Sequence, residues 1–159
     1  MTRKKKAYRP RAVLTDPLAL LRPAQPAQRL AVMTRFYTAL DMLAHAADPG
    51  REEWRDLSDA INTVETLALH MGRLDPAATM PTVNSAITAM VAASVRFNAG
   101  LRMGFSGAGL TALRRVVEVY DECASRLTEH EMATAQAITQ RRVHAILAGK
   151  ARTHDVVAL

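Results

Sequence analysis

The stretch REEWRDLSDAINTVETLALHMGR, residues 51–73, decides the fold. Its Trp54, Leu57, Ile61, Val64, Ala68 and Met71 recur at alternating steps of three and four, which places them on one stripe of a helix and makes a seam for neighbouring helices. A helix is expected over about 51–73. No strand pattern of any length occurs here or elsewhere in the chain.

The same period continues on both sides. Toward the N-terminus, Leu30, Met33, Phe36, Tyr37, Leu40, Leu43 and Ala47 predict a helix over about 27–47, stopped at Asp48-Pro49-Gly50. Toward the C-terminus, Leu74 to Met80 reads as a loop with Asp75-Pro76 as turn former. A third helix is expected to open at Thr79 or Met80, with Pro81 in its first turn, where proline is pre-organised. Its Val83, Ile87, Met90, Val91, Val95 and Leu101 are separated by Ala and Ser, small enough to let neighbours approach closely.

Gly100, Gly104, Gly107 and Gly109 surround Phe105 and mark a junction. A phosphate-cradling loop would need a preceding strand and a following Gly-Lys-Ser/Thr, and neither is there. The last helical stretch runs from about Leu110 to Leu147 on Leu113, Val116, Val117, Tyr120, Cys123 and Leu127, then Met132, Ala135, Ile138, Arg142 and Ile146. Thr128 and Glu131 have capping-box spacing, so two helices broken near Leu127 are expected, with one long helix as the alternative.

The fold class read from these elements is all-α: four to five helices in an antiparallel bundle or orthogonal array. Composition agrees, because 49% of the 159 residues are hydrophobic but only 4% aromatic, which leaves Leu, Val, Ile, Met and Ala to build the core. Residues 1–26, with Pro10, Pro17, Pro23 and Pro26, form a basic tail and linker; 27–148 form the helical domain and 149–159 a C-terminal tail. The seam residues Ile61, Val64, Val91 and Val95 exceed what one bundle of this size readily buries, so a homodimer is expected.

Charge is distributed unevenly. Arg3, Lys4, Lys5, Lys6, Arg9 and Arg11 precede any acidic residue, and the rest of the chain balances at 15 basic against 15 acidic side chains. Within that remainder, Ala133 to Leu159 carries Arg141, Arg142, Lys150 and Arg152 against Asp155 alone, so both ends are basic and the body mildly acidic. Cations on an extended chain neutralise phosphates and release counterions, and Tyr8 among them can stack on a base. The nucleic-acid-binding residues expected are therefore Arg3, Lys4, Lys5, Lys6, Tyr8, Arg9, Arg11, Arg141 and Arg142. A helix-turn-helix in the last two helices would bring Gln136, Gln140, Arg141 and Arg142 to bases or phosphates, but the break at Thr128 lacks a glycine turn.

Other chemistries find little support. The apolar segment Pro81 to Gly104 is interrupted by Asn84, Ser85, Thr88, Ser94, Arg96 and Asn98, which argues against a membrane span. Cys123 is the single cysteine, and no apolar run follows the basic start as in a signal peptide, so a cytoplasmic location is expected. No glutamate has a histidine three positions on, as a di-metal bundle site requires, and the five histidines stand singly, so neither metal nor cofactor is expected. Glu118 and Glu122 share a helix face, but with Arg114 and Arg126 four residues away they read as solvated ion pairs rather than an acid–base couple. Cys123 lies in an apolar stripe and reads as a buried structural thiol. No catalytic set converges, and an enzyme is not expected.

The ends of the chain, RKKKAYRPR at residues 3–11 and RRVHAILAGKARTHDVV at 141–157, together with the helical middle, resemble small uncharacterised proteins of prophages and mobile elements of GC-rich proteobacteria. The resemblance implies an accessory role such as regulation, replication support or inhibition of a host defence nuclease. The function expected is a non-enzymatic accessory protein that binds nucleic acid or a nucleoprotein complex through its basic tail. The alternative is a protein-binding adaptor or inhibitor acting through helix faces.

Overall fold

Local chemistry sets the helix ends in the computed structural model, which describes residues 22, 25–45 and 50–150. Five helices result: α1 (Pro26–His45), α2 (Arg51–Leu69), α3 (Pro76–Asn98), α4 (Gly107–Arg126) and α5 (Glu129–Leu147), with no strand among the described residues. The all-α class read from the sequence is the observed one.

The break between α4 and α5 falls where the capping box put it. The Thr128 hydroxyl accepts from the Glu131 amide at 3.2 Å, and Glu131 Oε2 accepts from the Thr128 amide at 2.9 Å, satisfying amides that a helix start otherwise leaves free. The Thr128 amide and hydroxyl, both donating to Oε2, hold the Glu131 carboxyl below the usual range.

Two expected boundaries move. α2 stops at Leu69 rather than near residue 73, because Gly72 takes the left-handed conformation at φ +60° while the Met71 and Arg73 amides reach back to the Thr66 and Leu67 carbonyls. α3 begins at Pro76, not beside Pro81: Asp75 is its N-cap, with Oδ1 accepting from the Ala77 amide at 3.0 Å, and Pro76 occupies the first turn. Residues 76–80, expected as loop, are thus helical, and Pro81 lies inside the helix, where it withholds an amide from the exposed Ala77 carbonyl. α4 opens at Gly107, capped by the Ser106 hydroxyl.

α2 is the central element, packing against α1, α3, α4 and α5. Leu57, Ser58 and every residue from Ala60 to Ala68 are buried, so the apolar stripe read from the sequence is only part of what this helix hides. Phe36 of α1 meets Tyr120 of α4 edge to face at 4.9 Å, and Trp54 of α2 lies 6.5 Å from Phe105 in the α3–α4 junction.

The face of α3 differs from expectation. Val83, Ala86, Met90 and Ala93 are buried against α2 and α4, whereas Val91 is 46% and Val95 62% exposed. Ile61 and Val64, grouped with them as surplus seam residues, are buried within this one chain. Leu30 and Tyr37 of α1 also face outward.

α3 and α4 approach closely at Gly109, where an added Cβ would stand 2.9 Å from Ala89 Cβ and 3.3 Å from the capping Ser106 Oγ. The small residues seen in the sequence serve this approach. Gly109→Ala should therefore lower the unfolding free energy by about 1–3 kcal/mol, the usual cost of overpacking, measured by urea denaturation. An unchanged midpoint would mean that the two helices can part without loss.

Candidate functional site

Seven of the nine residues expected to contact a polyanion, Arg3, Lys4, Lys5, Lys6, Tyr8, Arg9 and Arg11, lie outside the described residues. Arg22 is the described residue nearest to them in sequence. Its carbonyl accepts the Glu129 amide at 3.0 Å, so the backbone leading into α1 satisfies one of the free amides at the start of α5.

The other two, Arg141 and Arg142, part company. Consecutive residues on a helix point about 100° apart, and the packing of α5 on α2 separates their roles. Arg141 stays exposed, its Nε donating to the Ala137 carbonyl one turn back. Arg142 turns inward: Nη2 lies 2.9 Å from Oε2 of Glu65, and Nη1 donates to the Thr66 hydroxyl at 3.1 Å. Glu65 is 0% exposed, and a buried carboxylate is tolerable only when a cation or donors face it. Arg142 is therefore turned into the α2–α5 interface with a quarter of its side chain still exposed, whereas Arg141 stands at the surface.

Thr66 and Thr139 share a hydrogen bond at 2.8 Å, and Thr139 also approaches the Asn62 carbonyl at 3.4 Å. Asn62, Glu65, Thr66, Thr139 and Arg142 thus form a polar seam that fixes the register of α5 on α2. The sequence carried no sign of it, since Asn62, Glu65 and Thr66 lie off the apolar stripe, on positions that look solvated until α5 covers them.

Much of the cationic charge of the body is spent internally. Arg29 holds Asp121 through both Nε and Nη2 at 2.6 and 2.8 Å, Arg35 pairs with Asp56, Arg73 with Glu131, and Arg115 with both Glu118 and Glu122. The Glu118–Glu122 pair is an ion-pair run, as expected, but its partner is Arg115 rather than Arg114 and Arg126. Arg96 and Arg102 donate to the backbone carbonyls of Gly104 and His45.

α1 packs on α2 and α4, and α5 on α2. A cleft remains between α1 and α5, floored by Tyr120 of α4 and holding two adjoining chambers that share Tyr120 and Gln136. The polar chamber, about 180 Å³, is lined by Arg35, Phe36, Asp59, Thr63, Tyr120, Gln136, Thr139 and Gln140. The second, about 310 Å³, is more apolar, with Val32, Ala124 and Met132, and has Glu129 at its edge. Gln136 Nε2 donates to the Tyr120 hydroxyl at 3.2 Å. Partial desolvation of the Asp59 carboxyl in the cleft, although the residue as a whole is exposed, raises its pKa together with the charge of Asp56, and burial raises the Tyr120 phenol.

A larger, open groove of about 820 Å³ runs along the outer side of α1 past Leu30, Met33, Tyr37 and Met42. Cys123 is buried, and its desolvated thiol is pushed up, away from the range of an activated nucleophile. Among the described residues no group of His, Cys, Asp and Glu side chains could hold a metal ion, and no helix is long and apolar enough to cross a membrane. Compared with known proteins, the chain matches no family model, no curated protein and no solved structure.

Proposed function

We propose that this protein is a non-enzymatic accessory protein that binds nucleic acid or a nucleoprotein complex through its basic N-terminal segment. One observation carries the reading: Arg3, Lys4, Lys5, Lys6, Arg9 and Arg11 stand together without a carboxylate, beside a body that pairs many of its own arginines. Electrostatic attraction for a polyanion therefore resides in that segment, with Arg141 as an exposed cation of the body. Phosphate contacts of this kind position a protein without reading sequence. An origin in prophages or mobile elements, implied by the two ends of the chain, fits such a role.

Deleting residues 1–12 removes the six cations and leaves the five helices intact. If those cations contact duplex phosphates, the slope of log affinity against log salt should fall in magnitude by up to about 5, at roughly 0.9 per phosphate, and by similar amounts for unrelated sequences. An unchanged affinity and slope in fluorescence anisotropy would overturn the reading.

The outward-facing Leu30, Tyr37 and Met42 along the α1 groove favour a second reading, a partner protein held on that helix face. In that case the shortened chain keeps its partner and Leu30→Asp loses it.

A further inference from the structure

We propose that the polar chamber between α1 and α5 takes one unstacked guanine base of a single-stranded nucleic acid. The proposal rests on the polyanion reading and adds to it a site that the basic segment does not supply.

Size sets the first limit. At about 180 Å³ the chamber is smaller than the roughly 300–1,000 Å³ of sites for drug-sized molecules, which leaves room for a single planar ring system. Its floor is the buried Phe36–Tyr120 pair, apolar at the ring edges, and its walls come from four helices.

Hydrogen-bonding chemistry selects the base. Asp59 and Gln140 make no side-chain hydrogen bond or ion pair among the described residues, so a carboxylate acceptor and an amide are open to an occupant. Arg35 turns Nε and one terminal nitrogen toward Asp56 and keeps further N–H donors beside the chamber. With its Nε2 committed to Tyr120, Gln136 offers its carbonyl oxygen. Guanine presents O6 and N7 as acceptors and, on its pairing edge, adjacent N1–H and N2–H donors. A carboxylate for those two donors, and guanidinium and amide donors for the acceptors, line this one chamber. Adenine lacks the donor pair, and a pyrimidine offers fewer contacts across the same width.

Placement relates the cleft to the basic segment. Glu129, at the edge of the adjoining chamber, is the residue whose amide holds the Arg22 carbonyl. Arg22, the described residue nearest in sequence to the six cations, therefore contacts the body beside this cleft.

The test uses the full chain and two kinds of probe. Guanosine, adenosine, cytidine and thymidine, which carry no phosphate, are titrated while the side-chain amide resonances of Gln136 and Gln140 are followed by NMR. Guanosine is expected to move them and the others are not. In anisotropy, a dT12 oligonucleotide with one central dG should bind about tenfold more tightly than dT12 itself, the discrimination of one good bidentate contact. Asp59→Asn and Gln140→Leu, both at exposed positions, should bring that ratio to near one.

Oligonucleotides that bind without base preference, together with resonances that no nucleoside moves, would overturn the base site and leave the tail reading standing. Guanosine shifts without oligonucleotide binding would overturn both the tail reading and a nucleic acid as the occupant, leaving only a pocket for the free nucleoside. An equal response to adenosine or a pyrimidine would overturn the assignment to guanine.

Discussion

Trp54→Ala should lose about 3–5 kcal/mol of unfolding free energy, the range for removing a fully buried large aromatic from a core. The indole is 4% exposed, near the start of the central helix α2, and its ring lies against Phe105. It therefore holds the α3–α4 junction onto α2, and an alanine leaves a cavity that two helices and a loop must close together. Trp54→Phe makes the control. The indole N–H is buried without a hydrogen-bond partner, so phenylalanine gives up some volume but also removes an unsatisfied donor. Its cost should be a small fraction of that of alanine. Urea denaturation followed by circular dichroism measures both; a cost near zero for alanine would place the ring outside the core.

The second large effect concerns Arg142. Arg142→Met should destabilise the chain by about 3–5 kcal/mol, because it removes a cation that faces a fully buried carboxylate. Glu65→Leu should cost less, since Arg142 is partly exposed and its guanidinium can turn to water. Combining the two replaces an ion pair by apolar side chains of similar reach and should recover most of the loss, as buried pairs exchanged for hydrophobes often do. A double-mutant cycle in urea reads the coupling directly. If the two single costs simply add, the pair contributes nothing as a pair, and the register of α5 on α2 rests on Thr66–Thr139 and the Met132 and Ala135 contacts alone. The same variants bear on function: a loss of nucleic-acid affinity in Arg142→Met without loss of stability would contradict the inward role assigned to this arginine.

Sequence alone determined the helices and most of their ends, because those depend on neighbours three or four residues apart. Thr128 and Glu131 announce the start of α5 since both capping bonds are local, and of the three- and four-residue apolar steps, Met33, Phe36, Leu40 and Leu43 and the run from Trp54 to Ala68 are buried as spaced, whereas Tyr37 is not. Asp75-Pro76 was equally legible as cap and first turn. Two prolines fit the first turn of α3, and the Ala77 amide bonded to Asp75 decides for Pro76 over Pro81. The concentration of charge in residues 3–11 is likewise a property of the sequence, and the proposed function rests on it.

Tertiary structure decided which face of each helix is covered. Val91 and Val95 lie outward because α2 and α4 take the Val83–Met90 side of α3, a choice that period alone does not make. Asn62, Glu65 and Thr66 sit on what the stripe marks as a solvent face, and become interior only because α5 returns over it and brings Arg142 with it. The cleft is non-local in the same way. Arg35, Asp59, Tyr120 and Gln140 are single polar residues on four helices, each unremarkable in its own segment, and they share a chamber because α1 and α5 stand apart over the floor that Tyr120 makes. Periodicity reports how a helix is made; only packing between distant segments sets what its polar residues face.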